Sequence, residues 1–112
     1  MAESRRRVVI TGVGAVSPIG ETISDIWQAL LEGRSGVAKI TLFDAGKHET
    51  KISAEVKNWD PMKYIDRKEA RRMDRFAQFA VAASLLASKD AGVETFNGSA
   101  ESTGVIMGNC IG

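Results

Sequence analysis

The chain has 112 residues, 44% hydrophobic and 26% charged, the size of one globular domain or a part of one. Fifteen Lys and Arg against fourteen Asp and Glu give a formal charge of +1, so no global field favours nucleic acid or a membrane surface. One cysteine allows no internal disulfide, in keeping with a reducing cytosol, and no stretch approaches the roughly 18 apolar residues of a spanning helix.

At the amino terminus Arg5-Arg6-Arg7 precedes Val8-Val9-Ile10, an apolar run too short for a signal-peptide core and broken by Gly12 and Gly14. A cytoplasmic protein is expected. Arg7 to Thr11, short and β-branched, predicts a strand buried on both faces. The glycines and Pro18 then make a loop. Thr22 with Asp25 three residues on predicts a helix start. Ile23, Ile26, Trp27, Leu30 and Leu31 give that helix one apolar face, and Gly33 ends it.

Ile40 to Phe43 reads as a strand or an extended loop, and Lys51 to Val56 alternates like a half-buried strand. Asp60-Pro61 breaks the chain. A long helix is predicted from about Arg67 to Ala91, ended by Gly92. Met73, Phe76, Ala77, Ala80, Ala83 and Ala87 keep helical spacing along it, and the alanines predict a close approach to its neighbours. Thr103 to Met107 is a second buried-type strand, running into Gly108-Asn109-Cys110-Ile111-Gly112. Strand, helix, irregular hairpin, helix, strand is an α/β pattern. Stopping in a glycine turn just after a buried strand is a poor domain boundary, so residues 1–112 are expected to be a truncated piece of a larger α/β domain.

Chemistry-bearing residues are few. Gly12-x-Gly14 after a strand invites a dinucleotide-binding reading, with Asp44 as the ribose acid, but the third glycine position holds Ser17 followed by Pro18. A structural loop is the stronger reading. Lys68, Arg71, Arg72 and Arg75 fall at i, i+3, i+4 and i+7, on one helical face, with Asp66, Glu69 and Asp74 in the same window. Such a stripe is either a solvated face with internal ion pairs or a patch for an acidic partner, where arginine forks grip carboxylate or phosphate. Cys110 is expected to be a small buried cysteine, and the only histidine, His48, a surface residue. Neither a metal site nor a bound cofactor is expected.

The pattern resembles a known family. Thr11 to Gly20 matches the Thr-Gly-x-Gly-x-x-[ST]-Pro-x-Gly loop of the type II elongating β-ketoacyl-acyl carrier protein synthases. Trp27 in the first helix, the Gly33-Arg34-Ser35-Gly36 turn and Phe43-Asp44 follow in the family's order. Arg67 to Phe76 matches its Arg-Lys-Glu-x-Arg-[KR]-Met-Asp-x-Phe helix without a gap. The polyketide synthase domains share the first loop and fit the helix less well.

The resemblance implies a thiolase-like fold, two similar α/β halves stacked in five layers, working as a homodimer. It implies an acyltransferase in which a cysteine takes an acyl group from acyl carrier protein and two histidines assist decarboxylation of the malonyl carrier protein. None of those three residues falls within this chain, so it is expected to have no catalytic residue of its own. Carrier docking maps to Lys68, Arg71 and Arg72, and the acyl-pocket isoleucine to Ile111. In that last turn Asn109 stands for the family's serine and Cys110 for its glycine, which bears on the pocket's shape. A non-catalytic carrier-binding or scaffold member and a nucleotide-binding α/β protein are the alternatives.

Overall fold

A computed structural model describes residues 5–93 and 100–110. Helix α1 spans Ile23–Leu31. Thr22 caps it as expected: its hydroxyl accepts from the Asp25 amide at 3.1 Å and donates to the Asp25 carboxylate at 2.7 Å. Gly33 adopts φ 64° just past the helix, the left-handed conformation that favours glycine, and the Arg34 amide closes on the Ala29 carbonyl at 2.8 Å.

Strands β1 (Val37–Lys39) and β2 (Ile52–Ala54) pair antiparallel, Val37 opposite Ala54 and Lys39 opposite Ile52. The strand expected within Lys51 to Val56 is thus present, while Ile40 to Phe43 is the extended-loop alternative and its partner strand lies earlier, at Val37. Glu55, buried, secures that loop from the far side of the hairpin. Its carboxylate accepts from the Thr41 hydroxyl at 2.7 Å and from the Thr41 and Leu42 amides at 3.1 and 3.2 Å.

The Thr41 hydroxyl, aided by the two amides and the Lys57 charge and opposed by desolvation, holds the Glu55 carboxyl below its ordinary value of 4.5. A carboxyl depressed in the folded state adds stability that is fully present above the unfolded value and lost as pH falls through the folded one. Glu55→Gln is therefore expected to flatten the loss of thermal stability below pH 4.5. Melting curves from neutral to acid pH check this, and an unchanged acid dependence would contradict it.

A single turn of 3₁₀ helix at Pro61–Lys63, capped by the Asp60 carboxylate, leads to α2 (Arg67–Ala70), and α3 follows at Arg75–Asp90. The single long helix expected from Arg67 is broken. Arg71 to Met73 form a turn, and Asp74 takes an extended conformation at φ −67°, ψ 159° as the N-cap of α3. Aspartate competes poorly in a helix interior and well at its start, which places the break there. The far end is as expected, with α3 finishing at Asp90 and Gly92 at φ 67°.

Gly12 and Gly14 lie against α3. A Cβ on Gly14 would sit 2.5 Å from the Ala87 amide nitrogen and 2.9 Å from the Leu86 Cβ, and one on Gly12 would sit 2.5 Å from the Ala91 nitrogen. Residues two apart share a face of extended chain and residues four apart share a face of a helix, so two glycines meet the Ala83, Ala87 and Ala91 stripe backbone to backbone. Asp90 fastens the crossing by accepting from the Val13 amide at 2.9 Å.

Neither terminal run forms a strand, contrary to expectation. Arg7 to Thr11 and Thr103 to Met107 carry no ladder, and Val8 and Ile106 are 91% and 97% exposed. A strand exists only where a neighbouring strand builds a ladder with its amides and carbonyls, and among the described residues no β-ladder forms along either run. The buried core is small-sided: Ala29, Ala70 and Ala82 with Ile65. On α1 the apolar residues Ile23, Trp27, Leu30 and Leu31 are exposed. No helix among the described residues is long and apolar enough to cross a membrane.

Candidate functional site

The strongest grouping of charge lies at α2 and the turn after it. Asp66 starts the helix by accepting from the Lys68 amide at 2.8 Å, and the short turn of helix then brings four cations to one shallow groove. Arg67, Lys68, Arg71 and Arg72 line it, with Asp66 as its single acid, around a volume of about 590 Å³. All five residues are exposed. Arg72 faces Glu69 at 3.9 Å, a solvent-exposed pair, while Lys68 and Arg71 have no ion pair among the described residues. An exposed pair of that length is worth little, so the groove keeps its positive character.

Three of the four stripe residues, Lys68, Arg71 and Arg72, are therefore brought together. Arg75 is not. The break at Asp74 resets the helical phase, and the Arg75 guanidinium turns away to donate to the Val56 carbonyl at 2.5 Å and to lie 5.2 Å from the Phe79 ring centre. Arg67 takes a place in the groove that the stripe did not assign it, though its spacing of four from Arg71 carried the signal.

An aromatic and amide cluster joins the segment that carries Arg71 and Arg72 through Gln78. Trp59 stacks on Tyr64 with ring centres 5.8 Å apart and meets Phe79 edge-on at 4.8 Å. Its indole Nε1 donates to Gln78 Oε1 at 2.8 Å, and Gln78 Nε2 donates to the Ala70 and Met73 carbonyls at 2.9 and 3.2 Å. Nothing local in the sequence joins Trp59 to Gln78 across nineteen residues.

The glycine loop lacks the form of a phosphate cradle. Its two glycines face the backbone of α3, and the Val13 amide is taken by the Asp90 carboxylate, whose charge would repel a phosphate. Cys110, expected to be buried, is exposed, as are residues 101–109 ahead of it. His48 is exposed as expected, its ring edge-on to Phe43 at 5.4 Å, and no hydrogen bond or ring contact joins it to Cys110 among the described residues. Ile111 lies outside the described residues.

The chain thus sets a glycine loop against an alanine-rich helix, with a basic turn ahead of that helix. The chain belongs to the β-ketoacyl synthase family: the family model described as "Beta-ketoacyl synthase, N-terminal domain" matches residues 5–112.

Its curated relatives include the 3-oxoacyl-[acyl-carrier-protein] synthase 2 of Synechocystis, 48% identical over 108 residues, and that of Coxiella burnetii, 49% identical over 108. In both the alignment covers 96% of this chain and 26% of the relative, so the chain spans about a quarter of their length. Among solved structures, the ishigamide ketosynthase/chain length factor superposes with a TM-score of 0.73 at 39% identity, over 80% of this chain and 22% of that one. A β-ketoacyl synthase from Burkholderia phymatum gives 0.69 at 32% identity, over 86% and 24%. The fold is accordingly part of the thiolase-like fold that these ketosynthases share.

Proposed function

We propose that the chain is the amino-terminal part of a 3-oxoacyl-[acyl-carrier-protein] synthase of fatty acid synthesis, and that its basic groove receives acyl carrier protein. The observation that carries the docking role is the convergence of Arg67, Lys68, Arg71 and Arg72 on one exposed groove with one acid among them. By the family resemblance the carrier is strongly acidic, and complementary charge steers such encounters and fixes their register. The same groove serves the acyl-loaded and the malonyl-loaded carrier. In the reaction, malonyl thioester loses carbon dioxide, the resulting carbanion attacks the acyl thioester carbonyl, and the acyl carbon-sulfur bond breaks to release the thiolate, leaving the new carbon-carbon bond of the 3-oxoacyl product.

The described residues support a docking part rather than a reacting centre. Among the described residues no base lies beside Cys110, and by the family resemblance the acyl-pocket position falls at Ile111, beside Asn109 and Cys110. The reading also carries a cytoplasmic location and a homodimeric full-length synthase. Exposed apolar residues on α1 and along Val8 to Ile10 support further cover by the rest of such a protein.

The full-length synthase, given acyl and malonyl carrier proteins, is expected to release carbon dioxide and form 3-oxoacyl carrier protein, while the 112-residue chain alone forms none. Product from the short chain that disappears with Cys110→Ser would overturn the assignment of this segment to docking. No product from the full-length protein would overturn the synthase reading.

A further inference from the structure

We infer that Gln78 is a positioning residue for the basic groove, holding the turn that carries Arg71 and Arg72; this rests on the docking role proposed above. The carbonyls that Gln78 Nε2 grips belong to Ala70 and Met73, the residues immediately before and after the arginine pair. One side-chain amide thus ties down both ends of the two-residue segment.

The turn needs such a tie. α2 is only four residues long, and the last carbonyls of a helix have no partner within it. The Met73 amide reaches the Ala70 carbonyl at 3.3 Å, a long bond, and the Asp74 side chain makes no capping bond to α3. In a continuous helix the Met73 carbonyl would pair with the amide of residue 77. Here Gln78 Nε2 bonds it instead.

Trp59 sets the direction of the grip. Indole N–H is only a donor, so the Gln78 oxygen must face Trp59 and its two N–H groups are turned to the carbonyls. Stacking on Tyr64 and edge contact with Phe79 hold the indole in place. The chain of support therefore runs from the aromatic cluster through Gln78 to the Arg71-Arg72 turn.

The test uses the full-length synthase and carrier-protein affinity at low and high salt, beside a thermal melt. Gln78→Met keeps the side chain's length and removes its polar atoms. It is expected to weaken association at low salt about fivefold, the worth of a typical net hydrogen bond, and to reduce the salt dependence because the two guanidinium groups no longer converge. Lowered melting temperature alone, with affinity and salt dependence unchanged, would mean a merely structural role and overturn the inference.

Should Gln78→Met fail to fold, Trp59→Phe decides the matter, since it retains an aromatic ring and removes the donor that orients the amide. A smaller loss in the same direction supports the inference, and parental affinity in folded Trp59→Phe overturns it. On an Arg71→Glu, Arg72→Glu background, Gln78→Met should add no further loss, because coupled residues are not additive. If that charge reversal itself leaves association unchanged, the docking reading fails. If it weakens association and Gln78→Met does not, only the positioning role fails.

Discussion

Replacing Gly14 with valine is expected to destabilise the folded protein by about 3 kcal/mol or more, at the upper end of what overpacking costs. Room for a side chain is absent because the loop crosses α3 at backbone distance. Even the first carbon would fall 2.5 Å from the Ala87 amide nitrogen, inside any van der Waals contact. The atoms it meets are helix backbone, which cannot swing aside as a long side chain would. The crossing must open, and with it goes the Val13 amide bond to Asp90.

Gly104→Ala is the control. A Cβ at Gly104 meets nothing within 4 Å, so the change should stay within about 0.5 kcal/mol. Denaturant unfolding of the two variants beside the parent checks the pair. Equal stability for Gly14→Val and the parent would remove the close crossing from the account.

That crossing also explains what the sequence made legible. The alanine stripe implied close approach, whereas Gly12 and Gly14 read only as a structural loop, so one half of the contact was visible and its partner was not. Helix α1 was legible at both ends because its signals are local: Thr22 and Asp25 bond each other, and Gly33 takes the left-handed turn. The break between α2 and α3 was not. Met73, Phe76 and Ala77 keep helical spacing straight across it, so periodicity has nothing to register, and the one warning was Asp74 in a position suited to an N-cap.

The terminal runs fail for a different reason. Val8 to Ile10 and Val105 to Met107 have the residues of strands, but pairing is decided by a neighbour that no local pattern names. In the candidate site, the spacing of Lys68, Arg71 and Arg72 sufficed to group them. Arg75 left the group because its partner, the Val56 carbonyl, lies nineteen residues back. The Trp59 and Gln78 bond is equally distant and equally invisible.

Reversing the charge of the groove is the second large effect expected. Arg71→Glu with Arg72→Glu replaces two of the four cations with anions and makes the groove acidic toward an acidic carrier. Losing a charge contact at an interface costs about 2–5 kcal/mol, with rim charges acting more on the association rate. Arg71 and Arg72 are exposed, so the lower end applies, about 2 kcal/mol or roughly thirtyfold in affinity. The fold should hardly respond, because among the described residues the ion pair removed is the exposed one between Arg72 and Glu69, at 3.9 Å.

The most direct measurement is the affinity of the full-length synthase for acyl carrier protein, parent against the Arg71→Glu, Arg72→Glu variant, at low and high salt. The predicted result is a loss of roughly thirtyfold at low salt that shrinks as the Debye length shortens toward about 3 Å near 1 M salt, with an unchanged thermal melt. Equal affinity at low salt, with the fold intact, would contradict a docking role and leave the groove a solvated helix face.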